Sequence, residues 1–304
     1  MDMYDMIILG GGAAGLSAGI YASRGDINVM LLEKDAPGGQ LLLTDNIENY
    51  PGYEHIEGFE LAQKFMQHAQ KFGLNMQYEG AENIKVHDDH VEITTKNNVY
   101  KTKYLLAAVG SNPRKLGVPG EDKFRGKGVS YCATCDGAFF KDKDCIIVGG
   151  GDSALDEGIA LTKFAKKVTI VHRKDEFRAE PYLIELAKNN DKIEFLMNNE
   201  VKEVRGNDKV DRVLLYDNKE DKEHEMPIDG VFVFIGYLPN SKVLEGQVDL
   251  EKGEVIVDNF MKSSNPRIYA AGDIRQGSVK QVAASGGDGV MATIQIMHKL
   301  RSEG

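Results

Sequence analysis

Short apolar runs, each closed by glycine or a turn, recur along the chain and predict alternating buried strands and helices. Met6-Ile7-Ile8-Leu9 has the length of a buried parallel strand. It opens into Gly10-Gly11-Gly12-Ala13-Ala14-Gly15, then a helical pattern through Leu16, Ile20 and Tyr21, then a second run, Val29-Met30-Leu31-Leu32, that stops at Glu33. A helix is predicted over 60–72, with Leu61, Phe65, His68, Ala69 and Phe72 on one face, so His68 reads as packed rather than as a ligand. Alternation over 91–95 and 99–103 predicts a hairpin leading into the apolar segment 104–110. Cys145-Ile146-Ile147-Val148 repeats the opening run, with a helix through Ala160 and Phe164 and a strand over 168–171. A helix reaching about Lys188 follows, then strands near 193–196, 201–205 and 210–216, an exposed turn over 217–225 and a buried strand over 231–236. The strand 267–273 ends in Gly272-Asp273, and a glycine-rich helix start lies within 282–299.

Strand, glycine turn, helix, strand, written twice, predicts an α/β chain with two Rossmann-like dinucleotide-binding domains. Pro113, Gly117, Pro119 and Gly120 punctuate a hinge, and a return hinge is expected over 239–244. The last strand and helix rejoin the first domain. The second domain, over 117–243, is thus inserted into a discontinuous first domain over 1–114 and 245–304.

The two turns differ where a nucleotide would be read. In the first, Gly10 allows the tight turn, Gly12 lets a pyrophosphate approach the backbone and Gly15 lets the helix pack on the strand. The helix N-terminus faces the phosphates, and Glu33 is placed for ribose hydroxyls. Laying Met6 over Cys145 carries this pattern onto Gly149-Gly150-Gly151-Asp152-Ser153-Ala154, with alanine at the third glycine position. The same shift carries Glu33 onto His172, followed by Arg173, Lys174 and Arg178. A carboxylate repels a 2′-phosphate and cations bind one. The first turn is therefore expected to take FAD or NAD and the second NADPH. The competing reading of the cations is a solvated helix start.

Composition narrows the picture. The 304 residues carry a formal charge of −10, which argues against a nucleic-acid surface. The uncharged stretch 6–23 is broken by Gly10, Gly11, Gly12, Gly15 and Gly19, so no membrane span is expected, and the acidic first residues argue against a signal peptide. Of three cysteines, two form Cys132-Ala133-Thr134-Cys135, followed by Asp136. A cytoplasmic setting is expected, where such a pair works in redox or metal chemistry. Zinc would want four ligands, and no second pair or spaced histidine supplies them, so no metal is expected. Inert core thiols are the other alternative to a redox disulfide. Asp136 then passes protons or merely caps a turn, and the lone Cys145 reads as core.

Gly10 to Gly15, Gly38-Gly39-Gln40, Glu48-Asn49-Tyr50-Pro51-Gly52, Cys132 to Gly137, Gly149 to Ala154, His172 to Ala179 and Ala270 to Asp273 together resemble the low-molecular-weight thioredoxin reductases over essentially the whole chain. The resemblance implies a homodimer passing electrons from NADPH to FAD, to a Cys132–Cys135 disulfide, and on to thioredoxin. It implies that Cys135 is the flavin-proximal thiol, that Cys132 attacks thioredoxin and that Asp136 manages the proton. For FAD it implies Gly10, Gly12, Ala13, Ala14, Gly15, Glu33 and Lys34, the loop residues Gly39, Gln40, Leu41 and Asn49, Gly110, and then Gly272, Asp273, Lys280, Gln281 and Val282. For NADPH it implies Gly149, Gly151, Asp152, Ser153, Ala154, His172, Arg173, Lys174, Arg178 and Gly236. Lys174 departs from a frequent second arginine and loses its bidentate fork, and Lys280-Gln281 stands where Arg-Gln is frequent. A flavin dithiol oxidase, a ferredoxin-driven reductase and a partner-binding redox flavoprotein are the alternatives; the cations after His172 disfavour a donor other than NADPH.

Overall fold

The glycine-closed runs fold as parallel strands in the computed structural model, which describes residues 3–43 and 46–303. The chain divides into two units, one built from the residues up to Asn112 and from Leu238 onward, the other from Pro113–Tyr237.

In the first unit, β1 (Met3–Leu9) feeds α1 (Ala13–Arg24) and β2 (Val29–Leu32), and β1 pairs β2 in parallel with Met6 opposite Val29. Every side chain from Met6 to Leu9 is buried, Met6 and Ile8 in one cluster and Ile7 and Leu9 in another, because the sheet is covered on both faces. Helix α2 (Gly58–Lys71) leads to β3 (Asn75–Gln77), then β4 (Ala81–Val86), β5 (Val91–Thr95) and β6 (Val99–Ala107). The sheet order is β3-β2-β1-β6-β5-β4, and Ile268–Ala270 pairs the second half of β6 in parallel. The predicted hairpin is present, but its second strand runs unbroken into the apolar segment. Strand β4 has no counterpart in the sequence reading: only Ile84 of Ala-Glu-Asn-Ile-Lys-Val is fully buried, so its apolar signal is too sparse. His68, expected to be packed, is exposed on α2 with its ring against Phe72. The C-terminal helix Val282–Glu303 packs on α1 so closely that a Cβ at Gly289 would stand 2.1 Å from the Ala14 carbonyl oxygen.

The second unit repeats the scheme. Its parallel sheet runs β7 (Val129–Ser130), β14 (Gly230–Phe234), β8 (Asp144–Gly149), β9 (Lys167–His172) and β10 (Ile193–Met197), with α3 (Ala133–Asp136), α4 (Asp152–Leu161) and α5 (Pro181–Lys188) between strands. Cys145 is fully buried in β8, and burial pushes its thiol up to about 12, so it is an inert core residue. A separate antiparallel sheet joins β11 (Asn199–Gly206), β12 (Val210–Asp217) and β13 (Lys222–Pro227). Here the expectation of a turn over 217–225 is corrected: the turn ends by Asp221 and Lys222 opens the edge strand. An edge strand with mostly exposed, alternating charge reads as a loop because it has no apolar face to announce it. The punctuated segment after Pro113 is held down locally. The buried Glu121 carboxylate accepts from the N–H groups of Leu116 and Gly117, and Gly120 approaches the Val204 carbonyl too closely for any Cβ.

Candidate active site

The first turn is built by close backbone approach. A Cβ at Gly15 would lie 1.9 Å from the Gly10 carbonyl oxygen, and Gly10 itself sits at φ +100 with its N–H donated to Leu32. Gly12 caps α1 without any side-chain hydrogen bond, so the first N–H groups of the helix, at Ala13, Ala14 and Gly15, have no intrahelical acceptor. A Cβ at Gly12 would meet nothing within 4 Å. Open space before free N–H groups fits a dinucleotide pyrophosphate.

Glu33 leaves β2 at the edge of this cradle. Its carboxylate accepts from the N–H of Gly11 at 2.6 Å and of Asp35 at 2.8 Å, which fixes it beside the turn with lone pairs to spare for hydroxyls. Lys34 next to it is exposed and faces Asp35 at 3.8 Å. The loop from Gly38 folds over the turn: Gly38 donates to Gly11, and Gly39 at φ +57 would bring a Cβ within 3.3 Å of Gly12 Cα. Gln40 Nε2 donates to Ser111 and Asn112, just past Gly110, and Leu41 packs in a small cluster with Val282. Asn49 Nδ2 reaches Gln281 Oε1 at 3.2 Å, and Lys280 pairs with Glu254 at 3.3 Å.

Gly272 and Asp273 open the short turn that follows the strand Ile268–Ala270. Ser285 Oγ donates to Asp273 at 3.1 Å, and burial holds the Asp273 carboxyl above the ordinary range. Asp288 grips the turn by accepting from Gly272 N–H at 3.2 Å and from Arg275 through two bonds, at 2.6 and 3.0 Å. Neither Ser285 nor Asp288 was foreseen, since each becomes informative only when the C-terminal helix folds back on the turn.

The second turn uses the same scheme with a different fixing group. Gly149 sits at φ +159, Gly151 caps α4 without a side-chain bond, and a Cβ at Gly151 would meet nothing within 4 Å. Ala154 is fully buried and Ser153 is exposed, while Asp152 accepts from the Glu180 N–H at 2.7 Å. His172 occupies the position matching Glu33, yet its ring is buried: it is stacked on Phe177, bonds the Glu176 carbonyl at 3.1 Å and fills the space where a Gly150 Cβ would stand. Burial pushes its pKa down, so the imidazole is neutral and props the turn from within.

Arg173, Lys174 and Arg178 are exposed, and among the described residues none forms an ion pair. Their backbone is nevertheless pinned. Asn218 Nδ2 donates to the Arg173 carbonyl, Asn198 N–H to that of Lys174, and Arg178 N–H to that of Gly150 at 2.7 Å. The result is a fixed loop bearing exposed cations beside a helix start with no side-chain cap bond. Gly236, at φ +111, follows the neighbouring strand β14 and accepts from the Arg114 N–H.

In this same unit Cys132 and Cys135 form a disulfide with Cα atoms 5.3 Å apart, across the start of α3. Cys132 is the capping residue, and its Sγ accepts from the Cys135 N–H at 3.1 Å. Ser130 Oγ donates to Asp136 Oδ2 at 2.5 Å and accepts from the Cys132 N–H at 3.1 Å, tying the acid to the pair.

A second carboxylate here, on α4, escaped the sequence reading. Glu157 accepts from the N–H groups of Ala133 at 2.9 Å and Thr134 at 3.1 Å, the two residues between the cysteines. Burial raises its pKa against the pull of those bonds. Glu157→Ala is expected to cost about 1–3 kcal/mol in urea unfolding by stranding two N–H groups. The sign of the pH effect follows from the raised value. The folded state holds the proton more tightly than the unfolded chain, so stability falls as pH climbs from 4.5, the ordinary glutamate value, through the folded one. Glu157→Gln removes that decline, and unfolding measured from about pH 5 to neutrality checks it; an unchanged slope would exclude Glu157 as its source.

The chain matches the family model described as pyridine nucleotide-disulphide oxidoreductase over residues 4–289. It is 43% identical over 298 residues to the thioredoxin reductase of Bacillus subtilis strain 168, covering 97% of this chain and 94% of that protein. It is 42% identical over 290 residues to the thioredoxin reductase of Treponema pallidum, covering 95% and 94%. The crystal structure of thioredoxin reductase from Streptococcus pyogenes is similar at a TM-score of 0.94 and 43% identity, over 99% of each chain. No helix among the described residues is long and apolar enough to cross a membrane.

Proposed function

The chain belongs to the pyridine nucleotide-disulphide oxidoreductases, and from that premise we propose that it is an NADPH-dependent, FAD-containing reductase whose Cys132–Cys135 disulfide reduces thioredoxin. Family membership brings flavin and nicotinamide cofactors; the identities FAD and NADPH are our reading of the two turns. The observation that carries the proposal is a disulfide laid across a helix start in the same unit as a dinucleotide turn flanked by exposed cations.

When bound, the flavin supplies a two-electron route from the nicotinamide to the disulfide. Opening that disulfide takes up two electrons and, for the free dithiol, two protons. The Cys135 N–H aimed at Cys132 Sγ favours the thiolate on Cys132, and Asp136, held by Ser130, exchanges the proton. The Cys132 thiolate then attacks one sulfur of the thioredoxin disulfide, and the other sulfur leaves as a thiolate that takes the proton held at Asp136. Cys135 gives up its proton and attacks Cys132 Sγ in the mixed disulfide; the second thioredoxin sulfur leaves and takes up that proton, so the ring closes and dithiol thioredoxin is released.

Gly10, Gly12, Ala13, Ala14, Gly15, Glu33, Gln40, Asn49 and Asp273 hold the FAD in this reading, in a domain formed by both chain ends. Arg173, Lys174 and Arg178 hold the 2′-phosphate of NADPH in the inserted domain. The resemblance further supports a homodimer, and the sparse cysteines support a reducing, cytoplasmic setting. The purified protein with NADPH and thioredoxin should consume NADPH, with little loss under NADH. Failure of NADPH to bleach the flavin would end the proposal, and oxygen uptake without thioredoxin would make it an oxidase.

A glycine pair separates cofactor space from packing space. Gly12→Ala, where the added methyl meets no protein atom, should fold within about 1 kcal/mol of the parent but lose most of its flavin absorbance. Gly15→Ala, driven against the Gly10 carbonyl, should lose about 3 kcal/mol or fail to fold. Full flavin occupancy in folded Gly12→Ala would contradict the placement of the pyrophosphate.

A further inference from the structure

Outside the redox machinery, the turn between β4 and β5 gathers groups that neither cofactor uses. His87 donates its N–H to the His90 carbonyl at 2.8 Å across Asp88-Asp89, which continues the register of Val86 opposite Val91. Ile84, Val91 and Ile93 point into the core, so Lys85, His87, His90 and Glu92 share the outer face. The two imidazoles stack with centroids 4.5 Å apart, and one ligand atom from each of His87, His90 and Glu92 lies within 4.8 Å of the others.

Three features distinguish this cluster from a solvated surface. The Nε2 atoms of both histidines are buried without a hydrogen-bond partner among the described residues, an arrangement proteins avoid. His90 Nδ1 lies 2.7 Å from Asp89 Oδ1, and a proton shared there leaves Nε2 as a lone-pair donor. Arg267 donates twice to the Asp88 carbonyl, at 3.0 and 2.7 Å, so the turn is clamped from outside. Lys85 stands opposite Glu92 but forms no ion pair with it among the described residues.

We propose that His87, His90 and Glu92 form a binding site for a borderline divalent transition-metal ion of the zinc class, with Asp89 orienting His90. Two imidazoles and a carboxylate, with a fourth position left to water, are a donor set suited to Zn2+. Ligands about 2.1 Å from a tetrahedral ion stand roughly 3.4 Å apart, so a side-chain rotation closes the site from the observed spread. Nothing in His87-Asp88-Asp89-His90-Val91-Glu92 reads as a metal motif until the hairpin brings the three side chains to one face. The site owes nothing to the electron-transfer reading and stands or falls separately.

The test is calorimetric titration of ZnCl2 into chelator-washed, flavin-loaded protein kept oxidised, so that Cys132 and Cys135 remain in their disulfide. One ion per chain is expected. His87→Ala and His90→Ala should each weaken binding at least about tenfold, and Asp89→Asn about tenfold, while His68→Ala, at an exposed position of α2, should leave it unchanged. Glu92→Gln keeps the shape and should weaken binding as well. Flavin absorbance and thermal midpoint without zinc show that each variant folds. Absence of binding to the parent protein, or undiminished binding to the folded His87→Ala/His90→Ala double variant, would overturn the proposal.

Discussion

Replacing Cys135 by serine is expected to drop thioredoxin-dependent NADPH oxidation at least about a thousandfold, to background, while NADPH still bleaches the flavin. Cys132→Ser should lose turnover equally, because each thiol is half of one disulfide. The two variants should differ in what the surviving thiol does. The Cys135 N–H points at Cys132 Sγ, and serine at 135 keeps that N–H. Cys132 in Cys135→Ser should therefore be alkylated as a thiolate near neutral pH. Cys135 in Cys132→Ser receives no such N–H among the described residues and should alkylate more slowly, but it is the thiol expected to give a long-wavelength band with the flavin. Faster alkylation at Cys135, or the band appearing only in Cys135→Ser, would reverse the two roles.

What the sequence made legible was whatever depends on neighbours along the chain. Gly10 to Gly15 and Gly149 to Ala154 could be read because a tight turn into a helix needs its glycines at fixed spacing, and β1 and β8 because the doubly covered part of each, Met6 to Leu9 and Cys145 to Val148, is an unbroken apolar run. The pairing of Cys132 with Cys135 was the reading that spacing and family resemblance favoured over zinc or inert thiols, and the disulfide is present. Contacts between distant segments left no trace. Glu157 reaches the cysteine helix from α4, Asp288 reaches Gly272 and Arg275 from the C-terminal helix, and neither carboxylate sits in a motif.

Two further differences share a physical cause: polarity along the chain does not fix exposure in space. His172 stands where the repeat places it, matching Glu33 of the first turn, but an imidazole can be buried neutral where a carboxylate stays at the rim. His68 looked packed because it shares a helical stripe with Leu61 and Phe65, yet the stripe is wider than the surface it covers. The edge strand β13 was hidden for a related reason, its charges being compatible with a strand that has only one neighbour.

The cation loop carries the other large effect. Arg173→Ala with Arg178→Ala is expected to raise the KM for NADPH about a hundredfold, leaving kcat at saturation and the KM for NADH within a fewfold of the parent. Each charge-assisted bond to a phosphate is worth about 1.5–3 kcal/mol, and two in an exposed loop sit at the low end, near 3 kcal/mol, which is roughly a hundredfold. The loss should fall on NADPH alone, because the turn at Gly149 to Gly151 and the helix start behind it are untouched. Folding should be nearly unaffected: the backbone of the loop is held by Asn198, Asn218 and Gly150, none of which needs the two guanidinium groups. Raised ionic strength should weaken NADPH binding in the parent more than in the double variant, since the screened charges are the ones removed. Equal rises in KM for both nucleotides would mean that these arginines hold the pyrophosphate or the loop rather than the 2′-phosphate. A variant that still prefers NADPH as strongly as the parent would move the discrimination to Lys174, the one cation of the loop left in place.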